Sequence, residues 1–153
     1  MQKLNLPEYS FRYKTDEGKT YIFDSFRKKF VRLTPEEWVR QNFAQYLVAE
    51  KNFSLTLIAV ESGVVVNQNT LRADMIVFNR TGKPLMVAEF KAPDVKISQM
   101  TFDQVVRYNM QLKVPFIIVS NGIDHYCCRI NYDDNSYVFL SEIPDFGSII
   151  QGS

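Results

Sequence analysis

A chain of 153 residues is long enough to bury one substantial core, and a content of 46% hydrophobic and 23% charged residues excludes the disordered and fibrous classes. The net charge of +1 gives no general support to a polyanion partner, although a local basic patch remains compatible with it. No stretch approaches the roughly 18 apolar residues of a membrane span, and MQKLNLPEYS lacks the apolar run of a signal peptide. With Cys127 and Cys128 adjacent, and so unsuited to a disulfide framework, this predicts a reduced, cytoplasmic protein without a membrane partner.

In chain order, residues 19–34 read as a strand hairpin turning near Arg27 and Lys28. The basic cluster Arg27, Lys28, Lys29 and Arg32 then becomes its solvated tip. Thr34, Pro35 and Glu37 form a helix start, with Thr34 as N-cap, proline in the first turn and Glu37 completing a capping box. Val39, Phe43, Tyr46 and Leu47 give that helix its apolar stripe. Residues 55–66, 71–79 and 84–91 read as three strands, and Pro93 ends the third. Helical spacing returns over 97–113, VPFIIVS is a strand of the fully buried type, and two more strands follow Asn121-Gly122. No repeat or linker interrupts the chain, which predicts a single domain: a hairpin extension over 1–33, a core over 34–130, and terminal strands and tail over 131–153. His125, Cys127 and Cys128 lack the second ligand pair of a structural zinc site, and neither Trp38 nor His125 acquires a role.

The segment LRADMIVFNRTGKPLMVAEFKAP places charge inside strands. A symmetric turn about Thr81-Gly82 opposes Asp74 to Glu89, with Lys91 on the same face and Met75, Val77, Ala88 and Phe90 on the other. Side chains directly opposed across a ladder are about 5 Å apart, so the two carboxylates repel and one tends to keep its proton unless a cation intervenes. Mg²⁺ suits such an oxygen-rich setting, and Lys91 beside it would face an attacking water or a phosphate oxygen, an arrangement for phosphodiester hydrolysis. The alternative is a structural ion-pair ladder in which Lys91 and Arg72 neutralise Asp74 and Glu89.

Asp74 with Glu89-Phe90-Lys91 resembles the PD-(D/E)xK motif of restriction-endonuclease-like nucleases, with Ala73 in place of the motif's proline. Gln104 and Tyr108 fit the QxxxY pattern of RecB-like nucleases, one helical turn apart. The stretch from LTPEEWVRQNF to HYCCRI is similar to the N-terminal nuclease domain of type I restriction enzyme R subunits. The resemblance implies an α/β fold with a restriction-endonuclease-like αβββαβ core, a mixed central sheet flanked by helices and an N-terminal strand hairpin. It implies a DNA endonuclease using Mg²⁺, with Mn²⁺ able to substitute. Asp74, Glu89 and Lys91 would be catalytic, Asp74, Glu89 and the Phe90 carbonyl would bind metal, and Gln104 and Tyr108 would orient the lysine or the DNA backbone.

A helix acid commonly joins such sites, and Glu36 is preferred to Glu37 because it is in phase with Val39 and Phe43, whereas Glu37 serves the cap. Competing structural readings make Gln104 the end of a capping box begun at Thr101, and Tyr108 a core aromatic. DNA is the expected partner, together with motor or specificity subunits of a restriction system. A chain of 153 residues has no room for the motor, so it is either a stand-alone relative or an excised piece. The alternative function is a catalytically silent module binding DNA or protein on the same fold.

Overall fold

A computed structural model describes residues 1–66 and 68–151. The chain forms β1 (Tyr13–Asp16), β2 (Lys19–Asp24), β3 (Lys29–Arg32), α1 (Pro35–Glu50), β4 (Ile58–Val66), β5 (Asn69–Phe78), β6 (Pro84–Phe90), α2 (Gln99–Asn109), β7 (Phe116–Ser120), β8 (His125–Asn131), β9 (Ser136–Phe139) and α3 (Phe146–Gln151). From α1 to β7 this is the expected αβββαβ order. β4 to β9 lie side by side in one mixed sheet in sequence order, and the β6–β7 pair is parallel. The crossover that makes it parallel is α2, as a strand pair of that sense requires. β1, β2 and β3 form a separate antiparallel sheet. β1 and α3 had no counterpart in the sequence reading.

Alternation along the strands divides the core into two layers. Met75, Val77, Met86, Ala88, Phe90 and Ile118 meet Val39, Phe43 and Leu47 of α1. Ile76, Val87, Ile117 and Val119 meet Phe102 and Val106 of α2. Helices thus cover both faces, which is why β7 is buried at every position. Cys127 and Cys128 follow the same rule, one in each layer, and both are free thiols. Burial pushes each thiol up to about 12, so neither is a ready thiolate.

The helix starts differ in part from expectation. Thr34 caps α1, its hydroxyl accepting the Glu37 N–H at 3.1 Å, but the Glu37 carboxylate turns to Arg27 and Arg40 instead of completing the box. α2 is capped by Ser98, which accepts the Thr101 N–H at 3.1 Å, so Gln104 lies inside the helix and is no capping residue. α1 is also more than amphipathic, because Arg40, Gln41 and Asn42 are buried along with its apolar stripe.

What covers that second face is the segment ahead of α1. Trp38 donates its indole N–H to the Gln2 carbonyl at 2.8 Å, and Asn5 N–H donates to Gly122 O at 2.8 Å. Leu4 packs on Gly122, whose φ of +87° disfavours a side chain and where an added Cβ would sit only 2.7 Å from Leu4 Cδ2. The inner face of the small sheet contributes Ile22 and Asp24, both fully buried. Asp24 accepts from Arg40 Nη2 at 2.9 Å, and Arg27 donates to both Asp24 and Glu37. Arg27 is therefore a half-buried bridge, correcting its reading as part of a solvated tip; Lys28, Lys29 and Arg32 are exposed.

Burial raises the Asp24 carboxyl, but Arg40, Arg27 and the Phe26 N–H outweigh it and hold the group below the usual carboxylate range. Removing one partner from such a pair strands the other charge in the interior. Asp24→Ala is expected to lower the unfolding free energy by about 3–5 kcal/mol, and Arg40→Met by less; urea denaturation of the two variants beside the parent protein measures the order.

Candidate active site

The β5–β6 ladder pairs Val77 with Met86, Ile76 with Val87 and Met75 with Ala88, so the next step opposes Asp74 to Glu89. There the backbone pairing ends. Asp74 Oδ2 instead accepts the Phe90 N–H at 2.8 Å, taking with a side chain the bond that a ladder carbonyl would otherwise make. The other flank is interrupted at the same level: β4–β5 pairing passes from Val60–Met75 to Ser62–Ala73, and Glu61 between them has a left-handed φ of +49°. Glu61, Asp74 and Glu89 therefore occupy one row across three strands, at the level where β5–β6 pairing stops while β4–β5 runs on.

Burial, the Asp74 charge and a hydrogen bond shared with Asp74 push the Glu89 carboxyl up to about 8, and Lys91 only partly offsets them. The folded state thus favours the protonated form of Glu89. Burial and Asp74 also raise Glu61, while Arg27 and Arg40 pull it back. Among the described residues, Lys91 forms no ion pair with either carboxylate. Its backbone N–H is held by Ser120 O at 2.9 Å. Arg72 turns away to the Glu61 carbonyl at 3.2 Å. The ion-pair ladder of Lys91 and Arg72 is thus absent among these residues.

On the α1 side, a cleft is lined by Thr34, Glu36, Glu37, Arg40, Glu61, Asp74 and Phe90. Glu36 is exposed at its rim, whereas Glu37 is bound to Arg27 and Arg40. Gln104 and Tyr108 share the outer side of α2, opposite buried Phe102 and Val106. Tyr108 is 46% exposed and is not a core aromatic. No hydrogen bond among the described residues joins Gln104 or Tyr108 to the carboxylates.

Glu61 and Arg40 were missed from the sequence. Glu61 was legible in principle, since extending the β4–β5 pairing outward from its turn sets it opposite Asp74. Arg40 had no such signal. A hard divalent cation fits the donor set: two mutually repelling acids stand beside the Phe90 carbonyl, which leaves the strand on the side of the N–H that Asp74 accepts. Among the described residues no cluster of three or more His, Cys, Asp or Glu side chains could hold an ion, so water and substrate oxygens would have to complete the shell.

The fold is α/β, an αβββαβ order about a mixed six-stranded sheet, and its paired acids lie where β5–β6 pairing stops. The family model described as "Type I restriction enzyme R protein N terminus (HSDR_N)" matches residues 35–144. The chain belongs to this family. Among solved structures it is similar to a fragment of a putative HsdR subunit of a type I restriction enzyme from Vibrio vulnificus YJ016, at 22% identity and a TM-score of 0.40. That match covers 61% of this chain and 18% of the other. No curated protein matches. No helix among the described residues is long and apolar enough to cross a membrane.

A carboxyl raised in the folded state makes the native protein bind more protons than the unfolded chain, so Glu89 costs nothing in acid and costs stability as pH climbs from the ordinary carboxylate range through about 8. Glu89→Gln keeps a donor toward Asp74 and removes the charge. Its Tm is expected to match the parent near pH 5 and exceed it above about pH 8 in EDTA; a difference that stays flat across that range in differential scanning calorimetry rejects the assignment.

Proposed function

We propose that this chain is the nuclease module of a type I restriction enzyme R subunit and hydrolyses DNA phosphodiesters with Mg²⁺, Mn²⁺ being able to substitute. The observation that supports this best is the Asp74–Glu89 pair, held side by side with its electrostatic conflict only partly relieved by Lys91. When bound, the cation would neutralise both acids, lower the pKa of a water and polarise a phosphate oxygen. Asp74 and Glu89 would be its side-chain ligands and the Phe90 carbonyl a third. For Glu89 this role requires loss of its proton, so cation binding releases a proton at neutral pH. Asp74 lies within β5 and is oriented by the Phe90 N–H, and Lys91, one residue past β6, is anchored by its backbone bond to Ser120 of β7.

Lys91, free of an ion pair with the acids, would present its ammonium to the attacking water or a non-bridging oxygen, stabilising charge as it develops. Gln104 and Tyr108, solvent-facing on α2, suit contact with the DNA backbone better than orientation of the lysine. Glu36 at the cleft rim is the helix acid nearest in role to the metal. Motor and specificity subunits of a restriction system would deliver DNA to the module.

Purified protein incubated with supercoiled plasmid and Mg²⁺ or Mn²⁺ is expected to nick or linearise it, with Lys91→Ala and Asp74→Ala slower by on the order of 100-fold or more. Mg²⁺ should also raise the Tm of the parent protein but not of Asp74→Ala, because a ligand of the native state stabilises it. Equal cleavage by all three proteins would sink the proposal.

A further inference from the structure

The small N-terminal sheet lies ahead of the family-matched residues 35–144, and the catalytic reading leaves its outer face unused. Register fixes what that face carries. Lys14 pairs with Tyr21, Asp16 with Lys19, Tyr21 with Arg32 and Phe23 with Phe30, all on the side opposite buried Ile22 and Asp24. Arg12 joins them, its carbonyl accepting the Phe23 N–H at 2.8 Å. The face therefore holds four cations, Arg12, Lys14, Lys19 and Arg32, against one carboxylate, Asp16. In a chain of net charge +1, that concentration is local and uncompensated.

Two of the four cations are held over aromatic rings. The Arg12 guanidinium lies 4.7 Å over the Phe23 ring and 5.6 Å over Phe30, and Lys14 Nζ lies 4.9 Å over Phe30 and 5.7 Å over Tyr21. Stacking of this kind fixes long side chains and leaves their N–H groups directed outward, reducing the entropy lost when they bind an anion. Because the rings are half-buried under these cations, they are poorly placed to stack on bases. Phosphate is the group that this surface matches. The hairpin's β2–β3 turn also brings Arg27 to Glu37, which lines the cleft, and Arg27 bears electrostatically on Glu61 of the same cleft.

We propose that the outer face of the N-terminal sheet, through Arg12, Lys14, Lys19 and Arg32, is a sequence-independent seat for the DNA phosphate backbone beside the cleft. The inference deepens the nuclease reading and rests on it for the identity of the polyanion. Each cation seated on a phosphate releases a counterion, so binding must weaken steeply with salt.

The test is fluorescence anisotropy with a labelled duplex of arbitrary sequence, in EDTA and in a Lys91→Ala background so that no cleavage intervenes. Lys14→Glu/Arg32→Glu is compared with Lys83→Glu/Lys113→Glu, an equal charge reversal at exposed positions elsewhere. Lys14→Gln/Arg32→Gln, checked by thermal melt, serves if the reversed pair does not fold. The sheet pair is expected to weaken binding by about tenfold or more and to reduce the slope of log K against log salt by about 2, while the control pair changes little. A second, unrelated duplex should give the same result. Unchanged affinity in the sheet variants, an equal loss in the control pair, or no DNA binding by the background protein overturns the proposal. Failure of plasmid cleavage with DNA binding intact would count against the nuclease reading alone.

Discussion

Arg40 is the charge around which the N-terminal half is arranged. A guanidinium 2% exposed in the middle of a helix needs compensation, and it receives it from Asp24 on one element and Glu37 on its own. Arg27 then binds the same two acids from the hairpin turn. Replacing such a group by hydrocarbon often costs little, so its value here is orientation. A four-membered network has few alternative geometries, and this one sets the angle between the small sheet and α1. It also brings two cations near Glu61, the outermost acid of the row, and they pull down a carboxyl that burial and Asp74 raise.

The acid row itself requires an imperfect sheet. A continuous ladder would place Asp74 between two fully paired neighbours, with no room to reach a backbone donor. Pairing instead lapses on both sides at this one level, through the left-handed turn of Glu61 and the Asp74 bond to Phe90 N–H. Local irregularity of this sort costs energy and is tolerated where function uses it. The layers on either side, fully apolar through Met75, Ile76, Val87 and Ala88, supply the rigidity against which a charged row can be held.

Much of this was legible because alternation is a strict rule. Once the turn at Thr81-Gly82 was placed, it sorted Met75, Val77, Ala88 and Phe90 into the core, and it separated the two cysteines. The order αβββαβ followed from apolar runs long enough to carry their own period. Side-chain partnerships were less visible. Glu37 sits where a capping box would use it, yet two guanidinium groups attract a carboxylate more strongly than one backbone N–H does. Arg40 drew no reading at all, because a helical stripe says nothing about what a distant segment lays over the other side. Gln104 lost its capping alternative to Ser98, three residues before Thr101. The six residues of α3 and four of β1 are too short for any period to declare itself.

Trp38 and His125, silent in the sequence, turn out to tether the first residues of the chain. His125 Nε2 contacts the Asn5 carbonyl at 2.9 Å and Nδ1 contacts Ser120 Oγ at 2.7 Å, while the Ser120 carbonyl holds the Lys91 N–H. A mechanical relay thus runs from the opening segment, through one imidazole and one serine, to the backbone of the proposed catalytic lysine. The placement of a residue far along the chain is thus coupled, by three hydrogen bonds, to a segment more than eighty residues earlier in sequence.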